Sequence, residues 1–196
     1  MPRLGLPSGL QTAFLAGAIR RRVGVVDRLH FVLSTRERQH SHLATEIRRL
    51  PTLIDAQSHG HTVTGRSPLG LPLTIELTRP EEYGVTMVLA TGTADHLDGL
   101  LDCFREQGLA RWEAVRARLG QAMKTEEAVY RAARLAYIPP ELREGRIEIQ
   151  WARAGTVPCL LSASDIQGCF HMHTLYTDGA NTVEEMVMAA RDRGWA

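Results

Sequence analysis

Two short runs in the first half of the chain alternate apolar and polar side chains, "LHFVLS" at 29–34 and "LPLTIELT" at 71–78. A period of two puts Leu73, Ile75 and Leu77 on one face of a strand, and the β-branched content of the run favours the same reading. Between the two runs, Leu43, Ile47 and Leu50 fall at helical spacing ahead of Pro51, which predicts a helix over 37–50. Residues 56–70, rich in Gly, His, Ser and Thr, read as a hairpin. "TAFLAGAI" at 12–19 reads as a further short strand. The second half turns helical, over 80–90, 94–107 and 109–136, until the paired prolines of "YIPPELREG" at 137–145 break the pattern. An irregular connector is expected over 146–165, then a strand at 166–173 and a helix at 182–193. That helix would have Asn181 as N-cap, Glu184 as its capping partner, an apolar face of Val183, Met186, Val187 and Ala190, and Gly194 as its stop. The expected class is therefore α/β, with helices packed on a mixed sheet.

At 196 residues the chain suffices for one ordinary domain or two small ones. With 44% hydrophobic and 23% charged residues it has the balance of a globular protein, and no apolar run is long enough to span a bilayer. The opening "MPRLGLPSGLQTAFLAGA" is broken by Pro and Gly and has its arginines behind it, the reverse of a secretory signal. Cys103, Cys159 and Cys169 match neither a disulfide framework nor a zinc knuckle, which points to a reducing cytoplasm. Net charge is +1, but residues 1–50 carry nine arginines against three acids. Such a face could meet phosphate or could be a solvated surface.

Chemistry concentrates near the end, in "FHMHTLYTDG" at 170–179. On a strand, His171 and His173 share a face, and Asp178 in the following turn can swing toward them. Two imidazoles and a carboxylate suit Zn²⁺, Mn²⁺ or Fe²⁺. Elsewhere, His59 and His61 fall in the hairpin loop and are expected to be incidental. His40 and His42 begin a helix and are expected to be exposed, and Cys103 is expected in the core.

The segment "DIQGCFHMHTLYTDGANTVEEMVMAARDRG" at 165–194 resembles the first motif of the polymerase-and-histidinol-phosphatase (PHP) superfamily, with His171, His173 and Asp178 on its metal positions. Cys169 stands where that motif usually has Asp, and Thr177 where it has Ser. The superfamily folds as a distorted βα barrel that hydrolyses phosphoesters with up to three metals. Most of its remaining ligands lie on later strands that this chain lacks, so the resemblance implies an incomplete barrel. Upstream, "YRAARLAYIPPELREGRIEIQWA" at 130–152 resembles the thumb-to-linker segment of bacterial family X DNA polymerases, which carry a PHP domain behind the polymerase core. "RPEEYGVTMVLATGTADHL" at 79–97 resembles the end of their palm, with Thr91, Gly92 and Thr93 on a Thr-Gly-Ser motif. "AGAIRRRVGVVDRLHFVLS" at 16–34 resembles its opening.

The resemblance implies a nucleotidyltransferase-like palm over 1–88, a small helical or mixed thumb over 89–145, a linker over 146–165 and the start of a PHP barrel over 166–196. It implies DNA as partner and a divalent metal (Mn, Zn or Mg) as cofactor. Gly17, Arg20, Arg21, Arg22, Thr91, Gly92 and Thr93 fall on nucleotide- or DNA-binding positions. The palm departs from its family where catalysis resides. Nucleotidyl transfer uses three aspartates to hold two metals. Those positions carry Arg28, His30 and Thr74, with Asp27 recoverable only by a one-residue shift. Ala18 replaces the phosphate-gripping serine, and Leu89 and Ala90 replace two aromatics beside the sugar. A chain of this kind is expected to associate weakly with DNA, to add no nucleotides, and to bind metal loosely at His171, His173 and Asp178. The alternatives are a stand-alone PHP phosphoesterase, which the preceding "YIPPELREG" disfavours, and a non-catalytic DNA-binding or scaffold protein.

Overall fold

The computed structural model describes residues 12–36 and 39–195, and it divides into two compact units, Met1–Val157 and Pro158–Ala196. In the first unit, strands β1 (Thr12–Leu15), β2 (Leu29–Ser34), β3 (Ile54–His59), β4 (Thr62–Arg66) and β5 (Pro72–Thr78) form one sheet in the order β1-β2-β5-β4-β3. Only β2 and β5 run parallel, with His30 opposite Thr74 and Phe31 opposite Ile75; the other pairs are antiparallel.

The alternation in β2 and β5 sorts the core as expected. Leu33, Ile75 and Leu77 face helix α2 (His40–Arg48), meeting its Leu43, Ala44 and Ile47 with Leu53 and Val63. Leu50 lies past the end of α2 and is exposed. On the opposite face, Val32 packs against Met87 and Ala90 of α3 (Tyr83–Thr91). The expected strand at 12–19 ends early: the chain turns at Gly17 (φ 61°) into the one-turn helix α1 (Gly17–Arg20). A Cβ at Gly17 would come 3.2 Å from the His30 Cβ, so the turn needs glycine for space and for its left-handed backbone.

Helix α3 is buried nearly all round because it serves two cores. Val85 and Val88 belong to a second cluster with Leu100, Phe104, Val115, Met123, Val129, Tyr130 and Ile138. That cluster is built by α4 (Ala94–Arg105), α5 (Trp112–Leu119), α6 (Glu126–Ala132) and α7 (Glu148–Ala154). At Gly84 an added Cβ would sit 2.3 Å from the Thr125 backbone, so α3 and the start of α6 meet backbone to backbone. Helix α7 corrects the expected irregular connector. Its Ala152 is buried in this core, and Gly155 (φ 70°) ends it in the left-handed conformation. The period-3.6 signal was hidden by the helix's brevity.

The second unit holds a 3-10 turn at Ala163–Asp165 and helix α8 (Val183–Asp192). The strand expected at 166–173 does not form: the segment has no ladder partner, and His171 takes a left-handed φ of 61°. The cap of α8 is also corrected by one residue. Thr182 Oγ1 accepts the Glu185 N–H at 3.1 Å, and Glu185 Oε2 accepts the Thr182 N–H at 2.8 Å, so Thr182 and Glu185 form the box predicted for Asn181 and Glu184. No residue of α8 is buried.

Candidate functional site

The three positions on which a family X palm would carry its acids lie at the start of the parallel pair. His30 and Thr74 are cross-strand partners, and Arg28 immediately precedes β2. Asp27 carries its carboxylate 3.6 Å from the Arg28 guanidinium, and both side chains are mainly exposed. His30 is tied instead to Glu76, Nε2 to Oε1 at 2.9 Å. Glu76 was not singled out in the sequence, although an acid between Ile75 and Leu77 of a central strand is a visible anomaly. Two divalent cations need several carboxylates converging at about 2 Å. A guanidinium, an imidazole and a hydroxyl do not fit them, and among the described residues no group of three or more His, Cys, Asp or Glu converges to hold a metal.

The arginine run is consumed by acids from the helical half of the same unit. Arg20 makes a two-pronged contact to Glu126 at 2.7 and 2.5 Å and donates to Thr91 Oγ1 at 3.1 Å. Arg21 donates to Glu144 at 2.7 Å and to the Thr91 carbonyl at 2.7 Å. Arg22, with a left-handed φ of 58°, pairs with Glu141 at 3.2 Å and is the most exposed of the three. Thr91 thus joins Arg20 and Arg21 through its hydroxyl and its carbonyl. Thr93 caps α4 by accepting the His96 N–H at 3.3 Å, and a Cβ at Gly92 would meet His96 at 2.8 Å. These two residues serve the turn between α3 and α4.

Behind the arginines lies a buried polar network, and it explains "YIPPELREG" residue by residue. Arg143, fully buried, donates to Glu126 at 2.6 Å and to the Ile138 carbonyl at 3.0 Å, and its guanidinium lies over the rings of Tyr130 and Tyr137. Burial raises the pKa of Glu126, but the hydrogen bond from Arg20 and the charge of Arg143 outweigh it, and the carboxyl is held below its usual value. Glu148 accepts the Gly145 and Arg146 N–H groups and bonds His96 Nδ1 at 2.8 Å. His96 Nε2 therefore accepts from the Tyr130 hydroxyl at 3.0 Å. Burial lowers the His96 pKa in spite of Glu148, which fixes the ring as neutral. Gly145 (φ 75°) cannot carry a Cβ, which would fall 2.2 Å from the Asp95 Cβ.

In the second unit, His173 Nδ1 lies 2.5 Å from Asp178 Oδ1, and the rings of His171 and His173 are 4.9 Å apart. A Cβ at Gly179 would sit 2.3 Å from the His173 carbonyl carbon, so the turn closes tightly on that residue. The three candidate ligands are neighbours, but without a strand the imidazoles are not held on one face. One nitrogen of His173 is already spent on Asp178. As arranged they do not fit a bound metal cluster.

No family model matches the chain. It is 24% identical over 188 residues to the DNA polymerase/3'-5' exonuclease PolX of Bacillus subtilis, an alignment covering 92% of this chain and 32% of that protein. The chain thus spans about a third of the length of this curated relative. Among solved structures it is similar to Leishmania infantum polymerase beta in a ternary P/T complex, with a TM-score of 0.53 and 14% identity, covering 68% of this chain and 67% of that one. The ternary gap complex of the same protein matches with a TM-score of 0.52 and 14% identity, over 67% of this chain and 62% of that one. The sheet with its α3-centred helical half is therefore the nucleotidyltransferase-like fold that the sequence implies. The chain is thus similar in sequence, along nine-tenths of its length, to PolX of Bacillus subtilis, and similar in fold to polymerase beta.

Proposed function

We propose that this chain is a DNA-associating relative of PolX whose palm keeps its shape but performs no nucleotidyl transfer. In this reading, 1–88 is the palm, 89–157 the thumb with α7 docked in its core, 158–165 a linker and 166–196 the beginning of a PHP domain. The observation that carries the reading is the pairing of His30 with Thr74 across the parallel strands, with Arg28 beside them and the neighbouring carboxylate, Glu76, bound to His30. A divalent cation approaching Arg28 meets like-charge repulsion, softened by solvent and by the Asp27 carboxylate beside it. Primer extension on a gapped duplex with Mg²⁺ or Mn²⁺ tests the reading: no addition is expected, and metal-dependent extension by clean protein would overturn it.

DNA association in this reading depends on how firmly the arginine run is held. Arg21 and Arg22 face Glu144 and Glu141 from inside the same unit. The double variant Glu141→Gln/Glu144→Gln removes the carboxylate partner of both guanidiniums, and Arg21 keeps its bond to the Thr91 carbonyl. Tighter duplex binding is expected, with a log K against log salt slope steeper by up to about 0.9 for each phosphate gained. An unchanged slope would leave the run a structural feature only. The PHP-like residues His171, His173 and Asp178 are read as a loose site for a divalent metal, occupied only when further ligands complete it. Calorimetric titration with Mn²⁺ and Zn²⁺ checks this, and tight stoichiometric binding by this chain would overturn it.

A further inference from the structure

The carboxyl ends of the parallel strands β2 and β5 open on a cavity of about 290 Å³, whose wall includes Glu76, the partner of His30. Open sheets with parallel strands take ligands outside those ends, because backbone and loop groups converge there. Its walls come from four places: His40 at the start of α2, His61 and Thr62 at the β4 turn, Glu76 to Arg79 at the end of β5, and Glu82, Thr86 and Arg116 from the helical half. His40, expected to be exposed, is buried, and its ring touches that of His61, expected to be incidental, Nδ1 to Nδ1 at 3.1 Å.

The charges in this cavity are unequal in availability. Glu82 is held by Arg79 at 2.5 Å, and Glu76 by His30 at 2.9 Å. Arg116 is only partly exposed and has no acid partner among the described residues. It also borders a wider hollow of about 810 Å³ with Arg118 and Gln121, so its guanidinium stands between cavity and solvent. Thr62, Thr78 and Thr86 add hydroxyls, and Thr78 and Thr86 are bonded to each other at 2.9 Å, which fixes their orientation. The lining is thus one uncommitted cation, oriented hydroxyls and two imidazoles, with both carboxylates already engaged.

The histidine pair is oriented as well. His40 Nε2 donates to the Thr35 carbonyl at 3.2 Å, so its Nδ1 accepts from His61 Nδ1.

We propose that this cavity is a binding site for a tetrahedral oxyanion of the phosphate class, gripped by Arg116. The volume holds a phosphate or pyrophosphate with a few waters.

Amide NMR titration of the whole chain tests it. Phosphate and pyrophosphate at ionic strength matched with chloride are expected to give saturable shifts at His61, Thr62 and Thr78, with a Kd in the millimolar range or tighter. Arg116→Ala, a substitution that removes no side-chain hydrogen bond or ion pair among the described residues, is expected to weaken binding at least tenfold while leaving the rest of the spectrum unchanged. A 5′-phosphorylated oligothymidylate compared with its unphosphorylated twin separates the sources: preference for the phosphorylated form assigns the site to nucleic-acid ends, and equal affinity assigns it to free anions. Shifts that do not saturate, or that persist in Arg116→Ala, would overturn the proposal.

Discussion

Two regions carry the sequence resemblances, and they are built in opposite ways. Around Arg20, Glu126 and Arg143 the residues are interlocked and largely buried, with Glu126 held by both arginines. Across 166–179 the motif residues stand in solvent: Phe170 is 98% and Tyr176 88% exposed, and His173 and Asp178 meet as an exposed pair. The comparison teaches that a motif residue can persist for two separate physical reasons. In the first region the residues hold the sheet half to the helical half. In the second they hold only their own turn.

Breaking the first region should therefore cost far more than breaking the second. Glu126→Ala leaves the buried Arg143 without its carboxylate and releases Arg20, and a loss of about 3–5 kcal/mol is expected, as for a buried pair stripped of one partner. Asp178→Ala should lie within about 0.5 kcal/mol of the parent. Urea denaturation of both variants checks the pair, and equal effects would erase the distinction.

A smaller effect is expected within the first region itself. Gly145→Ala forces a Cβ against Asp95 at φ 75°, whereas Gly108→Ala at φ 79° meets nothing within 4 Å. Gly108→Ala should cost about 1 kcal/mol for the left-handed backbone alone, and Gly145→Ala at least about 2 kcal/mol. Similar costs would mean that the loop at Gly145 can shift away from α4.

The pH dependence sharpens the comparison further. The folded pKa of His96 lies below the unfolded 6.5, so the unfolded chain takes up a proton there before the folded chain does. Stability should fall as pH drops below about 6.5, and the decline should cease below the folded pKa. Glu126 and Glu148 have folded pKa values below their usual 4.5, so a second decline should follow as pH falls through that value. A His96→Gln variant should lose the first decline and keep the second. The smallest effect is expected at α8, where Thr182→Ala removes the cap of a helix with no buried residue. About 1 kcal/mol of local helix stability should vanish, read by amide exchange within 183–192, with the first unit unaffected.

The sequence carried the strands at 29–34 and 71–78, the hairpin between them, α3, α4 and the family resemblance, because alternation, turn chemistry and motif spacing are local. It missed α7, which is too short to show a helical period. It placed a strand at 166–173, where β-forming residues have no neighbour to pair with. Arg28, His30 and Thr74 were legible as the residues that the resemblance sets on the acid positions. Their alignment side by side, and the capture of His30 by Glu76, required the strand register. The arginine run was legible as charge but not as partnership. Its acids lie more than 100 residues away in the chain, and only the docking of the helical half on the sheet brings Glu126, Glu141 and Glu144 to it. The burial of His40 against His61 was equally out of reach. Its cause is the packing of α2 beside the β4 turn, and no local pattern encodes a contact between elements that meet only when the sheet closes.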